Sequence, residues 1–136
     1  SIEPLLESHH KKALILGTGG ASKAVAFAFK KLGIEFKYVS RRVADDRFLY
    51  TALTKEILDE YAVIVNCTPL GTHPNIENSP NIPYQYITSK HLLFDLIYNP
   101  AETKFLKEGL KKGARIKNGL EMLELQAEKS WEIWNS

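Results

Sequence analysis

Scarcity is the first information this sequence offers: its 136 residues include one cysteine, Cys67, and one methionine. A lone cysteine forbids an internal disulfide, which excludes the stapled secreted scaffolds and fits a reducing cytoplasm. No stretch approaches the roughly 18 apolar residues that would span a bilayer, and Ser1 to Lys12 do not read as an export signal, so no membrane partner is expected. Charge of one sign is missing too, because 18 Lys and Arg stand against 16 Asp and Glu, a formal net charge of +2. So small and mixed a balance argues against nucleic acid as partner; the densest basic cluster, Lys104 to Lys117, alternates with apolar residues. The four histidines, His9, His10, His73 and His91, show no ligand spacing and join no cluster of acids or cysteines, so no metal is expected.

What remains is a chain of single-domain length, 44% hydrophobic, whose pattern switches between short apolar runs and stretches of helical period. That alternation predicts an α/β fold, doubly wound around a mainly parallel sheet with helices on both faces. Ala13 to Leu16 read as a strand covered on both faces. A helix follows, with Ala21, Val25, Ala28, Phe29 and Leu32 as its apolar stripe and Gly33 as its C-cap. Phe36 to Ser40 form a second strand. Beyond a short apolar stretch at Phe48 to Tyr50 come a short helix over Thr54 to Glu60 and a buried strand over Ala62 to Asn66. Gly71 to Ser89, with Pro74, Pro80 and Pro83, is expected to hold no regular structure. Leu92 to Ile97 return as a strand. Asn99, Pro100 and Glu102 read as the cap, first position and first-turn acid of a helix running to Lys112 and ended by Gly113. A last strand at Ala114 to Ile116 precedes a final helix striped by Leu120, Leu123, Ala127, Trp131 and Trp134.

The segment Gly17-Thr18-Gly19-Gly20-Ala21-Ser22 lies between the first strand and the first helix, where a glycine-rich turn acquires a mechanism. One glycine permits the tight turn, another lets a pyrophosphate approach the backbone, and the free N–H groups at the helix start face the anion. Ser22 stands where the usual pattern has a third glycine, and its small size still permits close packing of helix on strand. At the end of the second strand an acid would hold the ribose 2′-hydroxyl of NAD, whereas arginine accommodates the 2′-phosphate of NADP. The chain reads Ser40-Arg41-Arg42, a donor-rich cradle for a dianion, so the expected cofactor is NADP.

These residues resemble the C-terminal, Rossmann-like nucleotide-binding domain of the shikimate dehydrogenase family, NADP-dependent oxidoreductases that reduce 3-dehydroshikimate to shikimate. The resemblance runs along nearly the whole chain and rests on Gly17 to Ala24, Ser40-Arg41, Asn66-Cys67-Thr68-Pro69-Leu70-Gly71, Asp95 to Pro100 with Thr103, and Asn118 to Leu123 with Gln126-Ala127. It implies that Gly17, Thr18, Gly19, Gly20 and Ala21 take the diphosphate, Ser40, Arg41 and Arg42 the 2′-phosphate, and Thr68, Pro69 and Leu70 the far side of the nucleotide. It further implies that Leu96 and Gly119 lie against the nicotinamide, with Met122 also on the cofactor, while Tyr98 and Gln126 reach the substrate. The family commonly has Asn-Arg-Thr where this chain has Ser40-Arg41-Arg42. Its catalytic lysine and aspartate belong to an N-terminal substrate domain that no segment here matches; Ser1 to Ser8 look like the end of the connecting helix. The expectation is therefore one NADP-binding domain over residues 1–136 that binds NADP without turnover, its small-molecule substrate shared with that other domain.

Two chemically reactive side chains are read as structural. Asp95 is expected to fix loop backbone and not to act as an acid or base, and Cys67, with no histidine near in sequence, as a small buried residue. Three other readings compete with this one. A non-catalytic NADP-binding regulatory module remains open, as does quinate as substrate in place of shikimate. A methyltransferase using S-adenosylmethionine is disfavoured, since that cofactor wants an acid at the end of the second strand and Ser40-Arg41 stands there.

Overall fold

The computed structural model describes residues 11–17, 20–41, 45, 47–68, 79–96 and 102–118. The expected final helix and the connecting helix at Ser1 to Ser8 lie outside these. Six strands, β1 (Lys12–Leu16), β2 (Glu35–Ser40), β3 (Arg47–Leu49), β4 (Val63–Asn66), β5 (Leu92–Asp95) and β6 (Arg115–Lys117), form one sheet in the order β3-β2-β1-β4-β5-β6. Every neighbouring pair is parallel. Three helices are described: α1 (Gly20–Leu32), α2 (Lys55–Glu60) and α3 (Lys104–Lys111).

The unbroken apolar runs of β1, β4 and β5 are explained by cover on both faces. Ala13, Ile15, Val63, Val65, Leu92 and Phe94 pack with Val25, Ala26 and Phe29 of α1. The alternate residues Leu14, Leu16, Ile64 and Leu93 pack with Leu58 of α2 and with Phe105 and Leu106 of α3. Period-two alternation thus feeds two cores, one per face. From β1 the chain winds outward to β2 and β3, returns through α2 to β4, and winds the other way to β5 and β6. β1 and β4 are therefore neighbours whose connections leave in opposite directions, and a crevice opens at their carboxyl ends.

Several details differ from the sequence reading. The buried stripe of α1 is Ser22, Val25, Ala26 and Phe29, while Ala21 and Ala28 are exposed. Spacing at i, i+3, i+4 and i+7 sets this face, with two small residues at the contact. Phe48 to Tyr50 is in part an edge strand, β3, followed by a 3₁₀ turn over Tyr50–Ala52. The proline-rich segment holds a 3₁₀ turn at Tyr84–Tyr86, and Ile82 and Ile87 around it are core residues. β5 stops at Asp95, and Leu96 is a bend. The helix expected to start at Asn99 starts at Lys104, capped by the hydroxyl of Thr103, which accepts from the Leu106 N–H at 3.3 Å. Glu102 precedes that cap and is not in the first turn; Asn99 and Pro100 lie outside the described residues. Gly33 and Gly113 do have positive φ, +72° and +83°, at the ends of α1 and α3.

Gly109 sits inside α3 against the sheet. A Cβ there would lie 2.5 Å from Cδ2 of Leu93, a fully buried residue of β5. Gly109 therefore sets how closely the helix approaches the strand, and Gly109→Val should destabilise the chain by about 2 kcal/mol through overpacking, read as a lower urea midpoint at unchanged m-value.

Candidate functional site

The carboxyl edge of the sheet is tied together beyond the strand ends. The Gly17 N–H donates to the Val39 carbonyl at 3.0 Å, the Cys67 N–H to the Leu16 carbonyl at 3.0 Å, and the Leu96 N–H to the Asn66 carbonyl at 3.2 Å. The ends of β2, β1, β4 and β5 are thus aligned in a row. Gly17 turns away from β1 with φ of +98°, and a Cβ on it would lie 3.2 Å from Cγ2 of Thr68. Only glycine combines that conformation with so close a neighbour. α1 begins three residues later, at Gly20, so its N-terminal turn opens beside the crevice between β1 and β4.

A buried polar network holds the middle of this edge. Asp95 and Asn66 are paired across β5 and β4 and are both fully buried. The Asn66 amide donates to Oδ2 of Asp95 at 3.2 Å, and the Thr103 hydroxyl donates to the same oxygen at 2.6 Å. Oδ1 of Asn66 accepts from both the backbone N–H and the hydroxyl of Thr68, at 3.0 and 2.6 Å. Asp95 thus orients Asn66, and Asn66 orients Thr68 at the rim. Expected to fix loop backbone, Asp95 instead takes these hydrogen bonds from the side chains of Asn66 and Thr103.

Cys67 follows β4 and is half-buried. Burial, reinforced by the Asp95 carboxylate, pushes its thiol up to about 12. Such a thiol is protonated and unreactive at neutral pH. His91, the buried histidine of the opposite edge, is fully engaged: Nδ1 accepts from the Thr88 N–H at 3.0 Å and Nε2 faces the Leu58 carbonyl at 2.7 Å. With Nδ1 accepting, Nε2 carries the proton and donates. The ring pins the end of α2 to the start of β5.

At the other end of the row, Ser40 closes β2 with its side chain largely buried, and Arg41 just beyond is exposed. Two residues that sequence reasoning did not single out join them. Arg47 reaches the Ser40 hydroxyl, Nη1 to Oγ 3.4 Å. Tyr50 follows β3; burial raises the pKa of its hydroxyl, and the Arg41 guanidinium offsets part of that rise. The pairing of Ser40 with Leu49 brings them there, a register that sequence spacing alone does not reveal. Of the expected site residues, Gly17, Gly20, Ala21, Ser40, Arg41, Thr68 and Leu96 all lie along this one edge. Thr18, Gly19, Arg42, Pro69, Leu70, Tyr98, Gly119, Met122 and Gln126 lie outside the described residues.

Sheet order, switch point and glycine turn define a Rossmann-type α/β domain. No family model matches the chain. It is 40% identical over 138 aligned residues to the shikimate dehydrogenase (NADP(+)) of Carboxydothermus hydrogenoformans, covering 91% of this chain and 49% of that protein. Among solved structures, the shikimate dehydrogenase of Aquifex aeolicus superposes with a TM-score of 0.84 at 33% identity, covering 99% of this chain and 52% of that one. The Thermus thermophilus shikimate dehydrogenase, solved with NADP(H) and shikimate, superposes with a TM-score of 0.75 at 32% identity, over 90% of this chain and 48% of that one. The chain belongs to the shikimate dehydrogenase family, and it spans about half the length of the curated relatives it matches.

Two outcomes check this geometry. Thr103→Ala removes both a helix cap and a donor to a buried carboxylate, so it should cost about 2–3 kcal/mol of stability by urea unfolding, with Thr103→Ser largely restoring it. The Cys67 thiol should react with an aromatic disulfide reagent at pH 8 at least about a hundredfold more slowly in the folded than in the urea-unfolded chain. Because folding raises this pKa from 9.0 to about 12, its contribution to stability is present below pH 9 and declines as pH rises from there toward 12.

Proposed function

We propose that this chain is the NADP-binding part of a shikimate dehydrogenase, which reduces 3-dehydroshikimate to shikimate. The observation that carries the reading is the pairing, on one sheet edge, of a glycine turn at the switch point with a hydroxyl and a guanidinium at the end of β2. The residues present fit the cofactor. Gly17 has no side chain where a Cβ would close on Thr68, and Ser40 and Arg41 supply donors where an NAD site needs an acceptor. The cofactor in its reduced form, NADPH, would supply the nicotinamide hydride for that reduction.

The chain's own residues bind and orient. Gly17 makes the tight turn, and the backbone N–H groups that follow it, those of Thr18, Gly19, Gly20 and Ala21, face the diphosphate in this reading. Ser40, Arg41 and Arg42 hold the 2′-phosphate by charge-assisted hydrogen bonds. Thr68, fixed by Asn66, and its successors Pro69 and Leu70 border the nucleotide; Leu96, Gly119 and Met122 border the nicotinamide. Tyr98 and Gln126 offer a phenol and an amide suited to a polyol substrate. Proton transfer to the substrate carbonyl falls to a separate substrate domain, so this chain supplies orientation and not acid or base chemistry. A cytoplasmic setting belongs to the same reading, in keeping with a single cysteine that can form no internal disulfide.

The direct test is calorimetric titration of the chain with NADP and NAD at low and moderate salt. Two screened contacts to the 2′-phosphate should favour NADP by at least about tenfold, and the preference should shrink with salt and in Arg41→Ala. Equal affinity for the two nucleotides, or retention of the full preference in Arg41→Ala, would remove the end of β2 as the selector.

A further inference from the structure

Thr103 has no accessible surface, so any influence it has on a bound nucleotide must pass through its neighbours. Its hydroxyl begins a chain of contacts that ends at the glycine turn. The proton goes to Oδ2 of Asp95 at 2.6 Å, and the same oxygen takes the Asn66 amide at 3.2 Å. The other end of that amide accepts the backbone N–H and the hydroxyl proton of Thr68. Thr68 in turn sets Cγ2 only 3.2 Å from the place a Cβ on Gly17 would occupy. Chemistry gives this chain one polarity. Turning the Asn66 amide over would aim its NH2 at the Thr68 N–H and its oxygen at a carboxylate, so a single orientation is workable. A hydroxyl carries one proton, and that of Thr68 goes to Asn66, which leaves the methyl to meet Gly17.

We infer that Thr103 is a positioning residue for nucleotide binding: through Asp95, Asn66 and Thr68 it sets how the end of β4 lies against the Gly17 turn. The inference rests on the NADP reading above and adds to it a residue that meets no ligand. Without the Thr103 donor, the carboxylate redistributes its hydrogen bonding over the partners that remain, the Asn66 amide among them. Buried contacts this close pass on shifts of a few tenths of an ångström, because packed interiors leave little slack. The fold supplies its own control. α2 is capped in the same way, the Thr54 hydroxyl accepting from the Ile57 N–H at 3.3 Å as the Thr103 hydroxyl accepts from the Leu106 N–H. Thr54, however, is exposed, and among the described hydrogen bonds none joins it to Asp95, Asn66 or Thr68. A role confined to capping predicts that both threonines matter for stability and neither for affinity.

The test is calorimetric titration of NADP into the 136-residue chain and its variants, with circular dichroism and urea unfolding on each. Thr103→Val should weaken NADP binding about fivefold, and Thr103→Ser, which keeps the hydroxyl, should restore it to within about twofold. Thr54→Val should lose stability while its affinity stays within about twofold. Thr68→Val cuts the same chain at its other end, so the double variant Thr103→Val/Thr68→Val should bind no more than about twofold worse than the weaker single variant. Should Thr103→Val fail to fold, the unmodified chain decides by amide hydrogen exchange. Coupling is reciprocal, so saturating NADP should slow exchange of the Leu106 amide at least about threefold more than that of the Ile57 amide. Unchanged affinity in folded Thr103→Val, losses that multiply in the double variant, or equal slowing of the two amides overturns the inference while sparing the NADP reading. Failure of the unmodified chain to bind NADP overturns the NADP reading itself.

Discussion

A carboxylate with no access to water must be surrounded by donors, and Asp95 meets that requirement in a way that organises the carboxyl edge. It is fully buried at the end of β5, beside Asn66 of β4, and takes hydrogen bonds from Asn66 and Thr103. Removing either donor leaves a charge in a low-dielectric interior, which is more costly than the hydrogen bond itself is stabilising. The consequence propagates in two directions. Thr103, held by Asp95, caps α3 and fixes where that helix starts. Asn66, held by Asp95, turns its oxygen toward Thr68 and fixes the rim beside Gly17. One buried group thus sets both a packing element of the core and a wall of the crevice.

The other organising constraint is the short link between β2 and β3. Without room for a covering helix, β3 stays three residues long and half-buried, and Phe36 and Tyr38 of β2 are only partly covered. The same shortness draws Arg47 and Tyr50 up to the end of β2. A longer crossover would carry the chain away from that edge before bringing it back. What the sheet lacks in cover at its rim, it has in polar and basic side chains gathered where a phosphate is proposed to sit.

These two features divide what could be read from the sequence from what could not. β1, β4 and β5 were legible because burial on both faces demands continuous apolar residues, and a run such as Ala62 to Asn66 suits little else. The glycine turn was legible because its position between strand and helix gives it a mechanism. The start of α3 was misread: Asn99-Pro100 with Glu102 is a strong local cap signal, but Asp95 needs a donor eight residues along the chain, and the hydroxyl that answers it also becomes the cap. Tertiary demand overrode local preference. Arg47 was invisible for a related reason, since its relation to Ser40 is one of strand register. Ile82 and Ile87 were hidden by the prolines around them, which forbid long regular elements yet leave side chains free to enter the core.

A physical consequence follows for how such a domain can change. The residues that hold the edge in line, Leu16, Asn66 and Asp95, are wholly buried, so substitution there alters folding before it alters binding. Arg41, proposed to choose the cofactor, lies exposed at the rim and belongs to no core cluster. Distant sites with no shared partner contribute nearly independently to stability. Selection between nucleotides can therefore vary at the end of β2 while the Gly17 turn and its Asn66–Asp95 support stay fixed.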